Sequence, residues 1–315
     1  MRRHPRPTLE LTRYAELQPA APGDELVSVS IGPTGEAAAL WASPPDAAIL
    51  SEGDFRVGPV SRPVSVRAAL HTPDLGQVVS IPEFRLRGAM VQPMPGGAFL
   101  TVAPRIREWP DGVPPNATVH DAAGNLQAEG FFGDGIEHVQ VTETGQIWVG
   151  YFDEGVYGVL YWGEAAVGGA GLLRFTPDLL LDWTYSAVNA GLEPIDDCYA
   201  LNVIGETAWC CYYDGFPLIA VEANAVTSWQ NRVHGARAVL IHRDRVALYG
   251  GYDKDTDRLV TAHRGESALT NLREYRLVLP GGTPIPRSQT FARGSTLHHF
   301  TDRTWYRLDL ADLPG

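Results

Sequence analysis

The alternation of apolar and polar residues is clearest in the stretch from Asp134 to Gly158. Two β-prone runs, Ile136 to Val141 and Gln146 to Phe152, flank the turn Thr142 to Gly145. A period of two residues, interrupted by a short turn containing glycine, is typical of a β-hairpin. The pattern therefore predicts two antiparallel strands in this stretch.

Weaker versions of this hairpin recur along the chain. Third and fourth β-prone segments follow most of them, as at Leu172 to Asp178 and Leu179 to Tyr185. Further third segments are predicted at 117–120, 218–222 and 274–279, and 253–268 is interpreted as a long connection. Four strands per repeat, at intervals of roughly 40 to 60 residues, are typical of propeller blades. The other five hairpins are Val27 to Trp41, Gly88 to Val102, Cys198 to Tyr212, Ala236 to Tyr249 and Gln289 to Phe300.

The two ends of the chain complement each other. Trp305 to Leu310 follows the sixth hairpin and leaves its blade one strand short, whereas Thr8 to Tyr14 is a spare strand before the first hairpin. We predict an all-β fold, a six-bladed β-propeller of one domain over residues 1–315, with 1–7 as a disordered tail. The ring would be closed by the N-terminal strand, which completes the C-terminal blade and removes a free sheet edge.

Composition narrows the classes of function. The net charge of −12 argues against indiscriminate nucleic-acid binding, which needs surplus basic residues. The sequence contains no run of some 18 apolar residues, which a membrane-spanning helix would need. The basic residues 1–6 are not followed by the apolar segment of a secretion signal. We therefore expect a cytoplasmic protein without membrane contact. Arginine replaces lysine everywhere except Lys254, which is typical of a GC-rich, bacterial coding genome.

Candidate functional residues cluster at the starts of the innermost strands. These strands line the central channel of a propeller, so residues just before them gather at one mouth of it. The starts are 24–25, 85–87, 134–138, 196–199, 234–237 and 287–289. Their mixed charges predict a site for a small polar ligand or a protein partner, although mutual pairing of the charges is an open alternative. The candidate ligand-binding residues are Arg87, Glu137, Asp196, Asp197 and Tyr199.

Some of these residue types also suit catalysis. The carboxylates Asp134, Glu137 and Asp197 could supply oxygen ligands to Ca²⁺ or another divalent metal. His138 and His234 are candidate general bases, and Arg237 could stabilise developing negative charge. A histidine at the start of a strand is also commonly just hydrogen-bonded, and that alternative stays open.

One blade resembles a known family. Asp134-Gly135-Ile136, the later Gly145-Gln146-Ile147-Trp148-Val149 and the closing Gly155-Val156 are similar to the repeat of senescence-marker/gluconolactonase and NHL-repeat propellers. In the gluconolactonase family the aspartate of that unit binds a divalent metal at the channel mouth and takes part in proton transfer, which implies this role for Asp134. A glutamate at the first inner strand of that family is matched by Glu25.

Two functions follow from these observations. The first is a propeller that binds a small polar ligand or a protein partner at the mouth of its channel. The alternative is a divalent-metal-dependent hydrolase of lactone-like substrates, with Asp134, Glu137, Asp197 and Glu25 as metal ligands. The hydrolase hypothesis requires stoichiometric metal and a loss of activity in Asp134→Ala.

Overall fold

The computed structural model describes residues 6–52, 59–106, 114–158, 166–286 and 289–314. Their strands form six sheets, of which five have four strands and one has six. The fold is a six-bladed β-propeller, as the hairpin repeats predict. By internal contacts the chain divides into a first unit, Leu17–Cys198, and a second unit, Met1–Glu16 with Tyr199–Gly315.

The first unit holds the first three blades, and each blade follows the chain order of its four strands. Two N-terminal strands that precede it belong to the second unit, β1 (Thr8–Glu10) and β2 (Thr12–Glu16). The first-unit strands are β3 (Glu25–Ile31), β4 (Ala37–Ala42), β5 (Pro59–His71), β6 (Leu75–Leu86), β7 (Met90–Met94), β8 (Ala98–Val102), β9 (Ala117–His120), β10 (Leu126–Gly130), β11 (Ile136–Val141), β12 (Ile147–Tyr151), β13 (Leu172–Phe175) and β14 (Leu181–Thr184). Its helices are α1 (Pro44–Ser51), α2 (Asp153–Val156) and α3 (Ala187–Ala190).

The second unit holds the remaining three blades. The fourth is β15–β18, the fifth is built on β19–β22 with β1 and β23 added to β22, and the sixth is β24–β26 with β2. The strands are β15 (Asp197–Ile204), β16 (Thr207–Tyr213), β17 (Leu218–Glu222), β18 (Ala225–Trp229), β19 (Ala238–His242), β20 (Arg245–Tyr249), β21 (Arg258–Arg264), β22 (Leu269–Leu279), β23 (Thr283–Pro284), β24 (Gln289–Arg293), β25 (Thr296–Thr301) and β26 (Thr304–Asp309). The first two residues of β15 fall in the first unit.

The middle strands of the blades are buried on both faces. All residues of β4 and β12 are buried, so these strands are continuous apolar runs instead of alternating ones. Between the second and third blades, Leu100, Val139 and Leu173 share one apolar cluster. Because both faces are buried, the second strand of each hairpin stands out in the sequence as a run of apolar residues.

The N-terminal segment joins two blades of the second unit. Strand β2 pairs antiparallel with β26 and completes the sixth blade, as the sequence predicts. Strand β1 instead pairs parallel with β22 of the fifth blade. Leu11 lies between them with 1% of its surface exposed, and its N–H donates to Val278 O at 2.8 Å. The predicted tail 1–7 lies mostly outside the described residues, but Arg6 pairs with Asp255 and Glu274.

The fifth blade corrects one strand assignment. Arg258–Arg264, predicted as part of a long connection, is the third strand of that blade and pairs with β20. The predicted third segment, 274–279, belongs to the fourth strand β22. The pattern was misread because β21 begins and ends in arginine while its interior, Leu259 to Ala262, is buried. Tertiary burial overrides the polar ends of so short a strand.

The helices of the described residues are few and short. The longest among the described residues, α1, has eight residues. None of the described helices has both the length and the apolar character needed to cross a bilayer.

Candidate functional site

The predicted channel-mouth residues fall in different units. Tyr199, His234 and Arg237 belong to the second unit, and the sixth strand start, 287–289, lies largely outside the described residues. The first unit contains Glu25, Arg87, Asp134, Glu137, His138, Asp196 and Asp197.

Three carboxylates of the first unit lie close enough to interact. Glu137 is in β11, Asp153 begins α2 and Asp197 begins β15. Burial raises the pKa of Asp197 to about 7, and the negative charges of Glu137 and Asp153 add to the increase. About half of the Asp197 carboxyls are therefore protonated at neutral pH.

In the part of the chain that the structure describes, no opposite charge pairs with Glu137 or Asp197. Among the described residues, no ion pair or hydrogen bond reaches the carboxyl of Asp197 or that of Glu137. Within the described ranges, the Asp153 carboxylate accepts the N–H of Glu154 at 2.8 Å and no other hydrogen bond. Asp197 is half-buried, whereas Glu137 and Asp153 are exposed, so the three carboxyls form a negatively charged region that is at least partly accessible. We call Glu137, Asp153 and Asp197 the carboxylate group.

Two glycines of the recognised repeat bring this group together. Gly135 has φ +68°, and a Cβ there would overlap the backbone of Gly155. A Cβ on Gly155 would in turn lie 2.5 Å from Asp134 O. A hydrogen bond stabilises this contact, because the N–H of Phe152 donates to Gly135 O at 2.9 Å. Because only glycine permits this contact, the repeat places α2, and with it Asp153, beside the start of β11.

His138 directly follows Glu137 in β11, and Cys198 directly follows Asp197 in β15. His138 pairs with Gly150 across the β11–β12 ladder, and a side chain at Gly150 would collide with Cys198. The Nε2 of His138 is buried and has no hydrogen-bond partner within the described part of the chain. Cys198 is fully buried and forms no disulfide.

Asp134, the residue that the resemblance assigns to a metal, has a structural partner set. Its Oδ1 accepts the N–H of Ile106 at 2.8 Å and Nε of Arg105 at 3.3 Å. Arg105 also pairs with Glu154 and lies over the ring of Phe152 at 5.3 Å. Asp134 thereby holds the chain at 105–106 against α2.

The described side chains contain no ready-made ligand set for the divalent metal of the gluconolactonase family. Within those ranges, no group of three or more His, Cys, Asp or Glu residues has metal-ligating geometry. Asp134 Oδ1 is already engaged by two donors, and Glu25 lies exposed at the start of β3. The carboxylate group is thus close enough for electrostatic interaction but does not form a chelating set.

Arg87 is paired outside the carboxylate group. Its Nη1 donates to Glu52 O at 2.8 Å, and its Nη2 lies 3.7 Å from the Glu52 carboxylate. Arg87 therefore anchors the residue that follows α1. Asp196 is half-buried directly before β15.

The second unit contributes an aromatic cluster. The ring of His234 stacks on Phe216 at 4.6 Å, and Tyr252 Oη donates to Tyr199 Oη at 2.9 Å. Tyr213 stacks on Tyr199 at 6.3 Å. Tyr213 and Tyr252 are exposed, so the cluster presents aromatic surface to solvent. The exposed Arg237 lies in the same unit, and its backbone N–H donates to Tyr249 O at 2.7 Å.

Sequence reasoning identified only part of these arrangements. The sequence pattern singles out Glu137, Asp197, Tyr199 and His234, but not Asp153 or the aromatic residues Tyr213 and Tyr252. An available signal was the repeated aromatic-Asp pair at the ends of second strands, at 152–153, 213–214 and 252–253. Phe216 carried no such signal.

No family model and no curated protein matches this chain. Solved structures similar in fold include a catalytically inactive virginiamycin B lyase from Staphylococcus aureus with quinupristin, at 8% identity and TM-score 0.42, covering 96% of this chain and 100% of that one. A gluconolactonase from Xanthomonas campestris has 9% identity and TM-score 0.42, with 94% and 98% covered. The Cps50 (Swd1) β-propeller domain of Myceliophteria thermophila has 10% identity and TM-score 0.43, with 97% and 100% covered. At these identities the likeness is one of fold.

Proposed function

We propose that the protein binds a small polar ligand carrying a positively charged amine at the carboxylate group of Glu137, Asp153 and Asp197. The observation that carries this proposal is the grouping of three partly exposed carboxyls that have no counter-charge among the described residues, and burial together with the two acidic neighbours raises the pKa of Asp197 to about 7. Carboxylates left together without a counter-charge are stabilised by an incoming cation. An ammonium group suits three separated carboxylates because it has three N–H donors and needs no fixed coordination geometry.

This proposal implies that binding and protonation are linked. The amine binds the ionised form of Asp197 and therefore lowers its pKa, so that a proton is released when the ligand binds near pH 7. With an initial pKa of about 7, the fraction of Asp197 that is ionised rises by about tenfold between pH 6 and pH 8. We expect the affinity for the amine to rise by a similar factor.

Isothermal titration calorimetry with ethanolamine, putrescine and spermidine at pH 6, 7 and 8 tests the proposal. Buffers of different ionisation enthalpy report the proton released. Asp197→Asn should weaken binding and remove the pH dependence. Glu143→Gln is the matched control, since it removes one exposed carboxylate from the turn of the β11–β12 hairpin, at the end of β11 away from Glu137. Binding that is absent for all three amines, or equal in wild type and Asp197→Asn, would refute the proposal.

The hydrolase alternative has one observation in its favour. A carboxyl with a pKa of about 7, as in Asp197, can act as a general acid or base at neutral pH. The metal dependence that the hydrolase alternative requires is tested by thermal unfolding. EDTA-treated protein is titrated with Ca²⁺, Mg²⁺, Mn²⁺ or Zn²⁺, because a ligand that binds the native state raises Tm. Stabilisation of wild type but not of Asp134→Ala, together with lactone hydrolysis, would replace amine binding by the hydrolase function.

A further inference from the structure

A separate cavity of about 320 Å³ lies in the first unit, between the first and second blades. Strand β6 forms one wall, and strands β9 and β10 form the other, together with lining residues between 103 and 106 and between 114 and 116. Its volume is within the range of small-molecule sites, roughly 300 to 1,000 Å³. None of the residues of the carboxylate group lines it.

The walls of this cavity are mainly apolar. Phe84 and Leu86 of β6 face it from the first blade, and Ile106 and Leu126 from the second. Leu126 has 50% of its surface exposed although it lies against this apolar space. An exposed leucine at the edge of an apolar cavity is covered when an apolar ligand enters, which removes its surface from water.

Few polar groups inside the cavity are available to a ligand. The Asn116 amide is already committed, since Nδ2 donates to Ala103 O and Gly133 O while Oδ1 accepts the N–H of Phe132. Thr118 Oγ1 is bonded to Thr101 Oγ1 at 2.8 Å. His120 remains: it lines the cavity, and burial lowers the pKa of its imidazole, which is therefore neutral at pH 7. A neutral imidazole can donate one hydrogen bond and accept another.

The charges around the cavity balance. Arg85 lies 3.8 Å from Glu83, and Arg105 is paired with Asp134 and Glu154. Glu129 is the fourth charged residue of the lining. Both arginines of the lining are paired with acids, so no unpaired positive charge in this lining selects an anion.

We infer that this cavity binds an uncharged, mainly apolar small molecule of aromatic or similar bulk, with one polar atom that hydrogen-bonds to His120. The inference is independent of the proposed amine site, because the two sites share no residue and require ligands of opposite character. Failure of one therefore leaves the other standing.

Fluorescence titration with N-phenyl-1-naphthylamine, an uncharged apolar dye with one N–H group, tests this inference. We expect saturable binding of one dye per chain. The anionic analogue 1-anilinonaphthalene-8-sulfonate should bind at least about tenfold more weakly, because no unpaired positive charge awaits the sulfonate. Equal or tighter binding of the anionic dye would overturn the assignment of an uncharged ligand.

Substitution of Leu126 locates the dye. Leu126→Trp places a larger side chain at the edge of the cavity and should weaken dye binding at least about tenfold. Leu181→Trp is the matched control, because Leu181 is 51% exposed on the outermost strand of the third blade, as Leu126 is on that of the second. Equal binding by the two variants would refute the cavity as the site.

Methyl NMR of the wild-type protein tests whether the dye binds in this cavity without any substitution. The dye should perturb the methyl resonances of Leu86, Ile106 and Leu126. Perturbation confined to other exposed leucines, such as Leu180, would overturn the inference.

Discussion

Two adjacent histidines of β25, His298 and His299, show how completely a blade strand is buried. Both have less than 2% of their surface exposed. His298 Nδ1 accepts Trp305 Nε1–H at 3.2 Å, and His299 Nδ1 lies 2.9 Å from Thr290 Oγ1. Burial lowers the pKa of His299 to about 4, and burial together with Arg307 and Arg293 lowers that of His298 well below its ordinary value.

The buried histidines make the stability of the protein depend on pH in a defined window. The unfolded chain binds protons on histidine from about pH 6.5 downwards, whereas folded His299 does so only near pH 4. The free energy of unfolding should therefore fall as pH decreases from about 6.5 to about 4. His299→Gln should reduce the slope in this window, as measured by urea unfolding at pH 7.5, 6.0 and 5.0.

The control for this prediction is His242→Gln, at the half-buried end of β19, which removes a histidine from the same unit. Asp197 contributes with the opposite sign, because its raised pKa makes the folded state bind the extra proton between about pH 4 and about pH 7. For that reason the comparison is between variants at each pH. A slope that is unchanged in His299→Gln would contradict the prediction.

At the scale of single residues, the sequence identified which residues are acidic but not their protonation state in the folded protein. It singled out Asp197 and Glu137 because acidic residues precede inner strands. The pKa of Asp197 was not predictable from the sequence, because it depends on burial and on the nearby charge of Asp153. The close contact between Gly135 and Gly155 holds Asp153 in that position.

At the scale of strands, one buried amide in each unit connects several innermost strands. In the first unit, Gln92 of β7 donates through Nε2 to Ser30 Oγ at 2.9 Å and Ile31 O at 3.2 Å, and its Oε1 accepts the N–H of Val141 at 3.1 Å. These contacts join the first three blades. In the second unit, Asn202 of β15 plays the same part.

We expect Asn202→Ala to lower the free energy of unfolding by about 2–4 kcal/mol, because buried backbone groups lose their partners. Asn202 is fully buried, and Nδ2 donates to Val239 O at 2.7 Å and to Gly294 O at 2.8 Å, while Oδ1 accepts the N–H of Gly294 at 3.0 Å. Urea unfolding measures the loss. Asn189→Ala, at an exposed position of α3, is the comparison variant. A cost for Asn202→Ala no larger than that of the control would show that the amide is not a linker.

Strand prediction succeeded where the local pattern was strong. The pairs β11–β12 and β19–β20 lie inside predicted hairpins, and β9 and β17 have the predicted limits. Strand β21 was missed because its terminal arginines resemble a polar connection, and only pairing with β20 and β22 shows it to be a strand.

At the scale of the whole chain, the N-terminal residues complete two blades of the second unit. Deletion of residues 1–16 removes β1, β2 and the buried Leu11, and it exposes the edge of β26. Loss of one buried leucine alone costs about 2–5 kcal/mol, so we expect Tm to fall by roughly 5–10 °C or more.

Hydrogen exchange locates the effect of this deletion. Protection should decrease in β24 to β26, whereas strands β7 to β10 of the first unit should keep theirs. Deletion of residues 1–5 serves as the control, because it leaves the ion pairs of Arg6 in place. A Tm that is equal for the two deletions would show that β1 and β2 contribute little.

The sequence by itself determined the class of fold, the number of blades and the use of an N-terminal strand in the sixth blade. These features follow from local alternation and turn residues repeated along the chain. Only the tertiary structure decided the partners of the charged residues: Asp134 with Ile106 and Arg105, Arg87 with Glu52, and Asp197 with no counter-charge among the described residues. The physical reason is that the strength and sign of such interactions depend on distance and burial between segments remote in sequence, which periodicity does not contain.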